Sequence, residues 1–186
     1  MYILYGESDD RFCLEHDDLY FMTLSETCNL SNFSCGNRYL DEFLLENALT
    51  SQIYNVSATK LACLQGSFVG YFTLVNDCVV TDMIETDDRK EDYAYRKYPA
   101  LKIGRFATHQ NYRKMGIGLA MLTEIYIIAF GISAQSGCRF ITVDSKHESA
   151  DFYLKNGFKP AVGKANYDTI PMYLDFYKLS KILGFM

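Results

Sequence analysis

The stretch from Leu101 to Gly118 constrains the fold of this chain more than any other. Leu101 to Thr108 has strand character, polar His109-Gln110-Asn111 follows, and Arg113-Lys114-Met115-Gly116-Ile117-Gly118 leads directly into a long helix. That helix is read from Leu119, Leu122, Ile125, Tyr126 and Ala129, which keep the helical period, with Gly131 or Gly137 as its end. A strand that turns this quickly into a helix aims the unpaired N–H groups of the first helical turn at one point, where they suit an anion such as a phosphate. Glycine at 116 and 118 lets a ligand approach the backbone with no Cβ in the way and permits positive φ where the loop curls. Arg113 and Lys114 add positive charge beside it. The pattern is not a P-loop, since no Gly-Lys-Ser/Thr follows, nor a dinucleotide fingerprint, since Met121 stands where the last glycine would be.

Around this unit the remaining elements alternate in type. Leu19 to Leu24 reads as a first strand, and Asn37 as the N-cap of an amphipathic helix with Tyr39, Leu40, Phe43, Leu44 and Ala48 on its apolar face. Thr59 to Leu64 and Phe68 to Val75, joined by Gln65-Gly66, read as a hairpin. Thr81 to Tyr98 has no clear period and reads as a solvated excursion closed by Pro99. Phe140 to Val143 has the β-branched character of a strand buried on both faces. Glu148 to Leu154 reads as a helix stopped by Asn156-Gly157, Phe158 opens a further strand, and Pro171 to Leu179 reads as a late strand.

A chain of 186 residues with 49% hydrophobic content buries one sizeable core, so one domain over 1–186 is expected. The start, Met1 to Tyr5, lacks the basic and apolar regions of a signal peptide. The apolar run around Ile125 to Phe130 is interrupted by Glu124 and Gln135, which makes it a buried helix and not a membrane span. Cysteines at 13, 28, 35, 63, 78 and 138 form no C-x-x-C pair and have no histidine at zinc spacing, so reduced thiols in a cytoplasmic protein are expected, without metal. The net charge of −5 hides an asymmetry: residues 1–88 hold 3 basic and 15 acidic side chains, residues 89–186 hold 15 basic and 8 acidic ones. One half suits anions and the other cations.

The loop Arg113 to Gly118 resembles the acetyl-CoA loop of the GNAT acyltransferase superfamily, Arg/Gln-x-x-Gly-x-Gly/Ala. Ala150-Asp151-Phe152-Tyr153-Leu154-Lys155-Asn156-Gly157-Phe158 is similar to the A-x-x-Y-x-x-x-G-F segment that follows it in the family. Phe33 to Asn37, Val69 to Leu74 and Ile103 to Ala107 resemble the GNAT toxins of toxin-antitoxin pairs. The resemblance implies an α+β fold in α/β/α layers, with a mixed, mainly antiparallel sheet of six or seven strands flanked by helices. It implies acetyl-CoA as co-substrate, transfer by direct attack of an amine in a ternary complex, and no metal. Arg113, Lys114, Met115, Gly116, Ile117, Gly118 and Leu119 would hold the pyrophosphate, and Phe106, Ala107 and Thr108 would line the pantetheine arm. Tyr153 matches the general acid that protonates the departing thiolate. His147 stands where many small-molecule enzymes of the family carry an asparagine that helps hold CoA.

Candidates for the general base are Asp77, His109 and Asp144, with water as the alternative. For the acceptor, the acidic first half points to a cationic small-molecule or peptide amine. The toxin resemblance points instead to charged tRNA and an antitoxin partner, for which Arg89, Lys90, Arg96, Lys97, Lys102 and Arg105 would supply a basic stripe. A non-catalytic acyl-CoA binder acting through a partner is a third reading. Dimers are common in the family, and no stretch of this sequence demonstrates one.

Overall fold

The computed structural model describes residues 19–163 and 168–184, so the chain start and Cys13 lie outside the described residues. The elements run β1 (Leu19–Thr23), α1 (Arg38–Glu42), a π-helical turn (Phe43–Asn47), α2 (Ala48–Ile53), β2 (Ala58–Leu64), β3 (Ser67–Val80) and β4 (Lys97–Thr108). They continue with α3 (Ile117–Ser136), β5 (Phe140–Ser145), α4 (Ala150–Lys155), β6 (Lys159–Pro160), β7 (Ile170–Asp175) and α5 (Phe176–Ile182). Seven strands form one sheet in the order β1-β2-β3-β4-β5-β7-β6. Every neighbouring pair is antiparallel except β4 and β5, which α3 joins as a parallel crossover.

Alternation along the strands divides the side chains between two apolar layers. Phe72, Leu74, Leu101, Ile103, Ile141, Val143, Met172 and Leu174 face the core built with α3, α4 and α5. Leu61, Cys63, Tyr71 and Ala107 face the helical segment 38–53, to which the π turn contributes Leu44 and α2 contributes Ala48. The expected α/β/α layering is therefore present. The helix α3 spans 20 residues with Glu124 as its single charge, longer and more continuous than its interruptions suggested, and by length and composition it would reach across a membrane. In this fold it buries Ile117, Met121, Leu122, Ile125 and Ala129 against the sheet.

Several element boundaries differ from the sequence reading. The first helix does not end near Ala48 but continues through the π turn to Ile53, where Gln52 accepts from the Thr59 N–H and donates to the Leu24 carbonyl. Pro99 lies inside β4 instead of closing the excursion. Proline is tolerated there because β5 pairs with β4 only from Ala100 onward, leaving the position with a strand on one side alone. The late strand stops at Asp175, whose carboxylate accepts from the Lys178 N–H and so starts α5. Gly131 lies within α3, and Gly137, at φ 78°, ends it.

Candidate active site

The sheet opens where the sequence motif begins. β4 and β5 pair over Ala100–Ile103 and Phe140–Val143, and a bulge between Thr73 and Leu74 in the β3–β4 register marks Gly104 as an extra residue. Beyond it, β4 keeps β3 as a partner through Thr108 but has lost β5. The distal half of β4 thus presents an unpaired backbone edge in the gap, a surface able to hydrogen-bond an extended ligand as an added strand would. Of the three residues expected to line that gap, Phe106 turns toward the α3 and α4 layer, while Ala107 is buried toward α1 and can offer only its backbone. Thr108 is half-buried at the strand's end.

The loop after β4 is pinned from below, because the side chains of Tyr112 and Met115 pack on the main core. Lys114 and Gly116 both adopt left-handed backbone, at φ 62° and 82°, which lets the chain curl into the helix. The helix's first internal hydrogen bond runs from the Ala120 N–H to the Gly116 carbonyl at 3.0 Å. The N–H groups of Ile117, Gly118 and Leu119 therefore project from the helix end, at the positive pole of a 20-residue dipole. Gly118 has a packing role rather than a conformational one: a Cβ there would lie 3.3 Å from the Phe152 ring, so glycine lets α4 close against α3. Leu119 is 53% exposed beside this end. The arrangement fits a phosphate-bearing ligand whose arm runs into the gap beside β4.

Tyr153 stands in α4 and is 4% exposed, enclosed by the rings of Phe106, Phe152 and Phe158 at centroid distances of 6.2, 5.2 and 5.2 Å. The structure thus brings together the strand edge and the tyrosine that were separated by 47 residues of sequence. The hydroxyl of Tyr153 makes no hydrogen bond among the described residues. Burial pushes its pKa well above the ordinary phenol value, so it keeps its proton at neutral and moderately alkaline pH.

The three candidate bases are each engaged elsewhere. Asp77 accepts from Thr142 Oγ1 at 2.8 Å and from the Cys78 N–H at 2.8 Å. Asp144 forms an ion pair with Lys102 at 2.7 Å. His109 accepts from the Asn111 N–H at Nδ1, which places the proton on Nε2, where it is 3.2 Å from the Asn32 carbonyl. Asp77 and Asp144, with Lys102 and Thr142, line a groove of about 180 Å³ that His109 does not reach. The six cations expected to form a basic stripe do not all share one free face. Lys102 is neutralised by Asp144, Arg89 donates to the Ile84 carbonyl, and strand alternation puts Lys97 and Lys102 on opposite faces. His147 opens a short turn before α4 and is exposed.

Two arrangements were not legible in sequence. One joins the residues before α1 to the loop 109–113. The other surrounds Asp88, 2% exposed, which accepts from Lys159 Nζ at 2.7 Å, Lys178 Nζ at 2.7 Å and the Tyr173 hydroxyl at 2.9 Å. The excursion 81–98 is therefore anchored to the far edge of the sheet instead of lying free in solvent.

Residues 65–160 match the model of the acetyltransferase (GNAT) domain, which takes in the loop, the gap and Tyr153. The chain is 23% identical over 137 residues to the tRNA-acetylating toxin of Mycobacterium tuberculosis, covering 73% of this chain and 81% of that protein. It shares its fold with a Tyr-to-Phe mutant of KacT, at a TM-score of 0.80 and 17% identity over 89% of this chain and 99% of that one. The same coverage and TM-score, at 19% identity, hold for AtaT complexed with acetyl-methionyl-tRNAfMet. AtaT bound to acetyl-CoA and the C-terminus of the antitoxin AtaR matches at a TM-score of 0.72 and 18% identity, over 90% of this chain and 99% of that one. With the motif, the splayed sheet and a family match across more than half its length, this chain belongs to the GNAT acetyltransferases, enzymes whose co-substrate is acetyl-CoA.

Proposed function

We propose that this enzyme acetylates the amino group of an aminoacyl-tRNA. The observation that carries the reading is the likeness to a tRNA-acetylating toxin across 81% of that protein's length, from a chain whose fold also matches AtaT in complex with an acetylated tRNA. The general reading, transfer to any primary amine, explains the gap and the loop equally well but not this likeness. In the proposed reaction the N–H groups of Ile117, Gly118 and Leu119 hold the pyrophosphate of acetyl-CoA, and Arg113, Lys114, Met115 and Gly116 shape the loop. The open edge of β4 at Phe106 to Thr108 orients the pantetheine arm and offers a backbone donor to the thioester oxygen as charge develops.

The acceptor amine attacks the thioester carbonyl, the C–N bond forms, and the C–S bond breaks. Tyr153, held protonated by its apolar surroundings, delivers its proton to the departing sulfur. With Asp77, Asp144 and His109 committed to other partners, water removes the proton from the amine.

Thiol release from acetyl-CoA, measured with charged tRNA pools and with a panel of small cationic amines, tests the assignment. Activity on charged tRNA with none on the amines is the expected outcome. Turnover confined to the amines would overturn the tRNA reading and leave the enzyme class intact.

A further inference from the structure

Arg113 stands at the head of the co-substrate loop, but its guanidinium reaches the opposite layer of the fold. Its Nη2 donates to the carbonyl of Cys35, and it lies 3.6 Å from where a Cβ on Gly36 would be. The contact is one of several between the same two segments. The Gln110 N–H donates to the Ser34 carbonyl at 2.9 Å, His109 Nε2 meets the Asn32 carbonyl at 3.2 Å, and the Phe33 ring packs edge-on against His109 at 5.7 Å.

On its other side the turn 34–36 is bound to α1. The carboxylate of Asp41 accepts from the Cys35 N–H at 2.8 Å and from Ser34 Oγ at 3.0 Å, and these donors hold its pKa below the usual range although its partial burial opposes them. Asn37 caps the helix through the N–H groups of Tyr39 and Leu40. The Tyr71 hydroxyl donates to the Leu40 carbonyl at 2.8 Å, tying the same turn of helix to β3. One short turn is thus gripped by a helix-borne carboxylate on one side and by the loop's arginine on the other.

We propose that Arg113 is a positioning residue that couples the co-substrate loop to the first turn of α1, so that seating acetyl-CoA stiffens the turn 34–36 and the start of that helix. The proposal rests on the reading given above only in taking the loop 113–119 as the seat of acetyl-CoA. It assigns the guanidinium to the Cys35 carbonyl and leaves the phosphates to the backbone N–H groups. Binding that orders a segment shared with a second site couples the two sites in free energy without a large movement.

The test is amide hydrogen exchange over residues 34–42 of the full chain, with and without saturating acetyl-CoA, together with acetyl-CoA affinity by calorimetry. In the parental protein acetyl-CoA slows exchange of these amides by about fivefold or more, the lower end of ordinary site-to-site coupling. Arg113→Gln removes that protection, while Arg113→Lys, which keeps a donor, retains part of it. An absence of protection in the parental protein overturns the proposal. So does an Arg113→Gln affinity loss of about tenfold with protection intact, the signature of a direct phosphate contact. Should Arg113→Gln fail to fold, Asp41→Asn frees the same turn from the helix side and is expected to abolish protection at unchanged affinity. Persistent protection in Asp41→Asn overturns the proposal as well. Neither readout involves an acceptor, so failure of tRNA acetylation and failure of this coupling are separate results.

Discussion

Tyrosine 153 differs from the other buried tyrosines in what its hydroxyl does. The Tyr71 hydroxyl donates to the Leu40 carbonyl, that of Tyr173 donates to Asp88 and accepts from the Glu85 N–H, and that of Tyr98 accepts from the Lys90 N–H. Tyr153 has packing partners alone among the described residues, which leaves its proton available to a ligand. Tyr153→Phe is therefore expected to lower acetyl transfer by about 100-fold or more, the usual worth of a general acid, as read by thiol release. Acetyl-CoA affinity and thermal stability should stay near parental values, since no intramolecular hydrogen bond is lost. The residue was legible in sequence as part of a motif. Its isolation from hydrogen-bonding neighbours was not, because the rings that enclose it come from β4, α4 and the turn after α4.

At the scale of elements, α3 packs tightly on the sheet at Gly70. A Cβ there would lie 2.9 Å from Met121 Sδ and 3.0 Å from the Ala107 carbonyl oxygen. The thioether can yield, but the carbonyl belongs to the β4 backbone beside the proposed pantetheine edge. Gly70→Ala is expected to destabilise the protein by about 1–3 kcal/mol, the range for overpacking, measured as a lowered denaturant midpoint. It should also weaken acetyl-CoA binding, because the strain falls on β4. Of the helices, α3 was the easiest to foresee and α1 the hardest to bound. A long apolar period announces the first, whereas the π turn at Phe43–Asn47 lets the second continue past its expected end.

At the scale of the molecule, the Asp88 cluster ties the excursion between β3 and β4 to β6, β7 and α5. Burial by itself would raise the carboxyl's pKa, but hydrogen bonds from Lys159, Lys178 and Tyr173 override it and hold the value at about 2. A carboxylate whose folded pKa lies below its unfolded one stabilises the fold above the unfolded value of about 4 and loses that contribution as pH falls toward 2. The difference corresponds to about 2 kcal/mol. Denaturant melts at pH 6 and pH 3 should show the loss, and Asp88→Asn should be less stable at pH 6 with a flatter acid dependence. Arg139 adds to the same tie through paired bonds to Asp175 and a bond to the Asp88 carbonyl.

What the amino-acid sequence by itself determined is local: the strand, loop and helix around Gly116, the asparagine cap of α1, the hairpin of β2 and β3, and the helix carrying Tyr153. Each depends on periodicity, capping or turn chemistry within a few residues, and such preferences act whatever the rest of the chain does. Only the tertiary structure decided the opening between β4 and β5, the fate of Asp77, Asp144 and His109, and the two grips on Asp88 and on the turn 34–36. Those features depend on which charges and carbonyls meet across the sheet. Cys35 and Arg113 stand 78 residues apart, as do Lys159 and Asp88 at 71, and nothing in the local pattern of either partner encodes the distance between them.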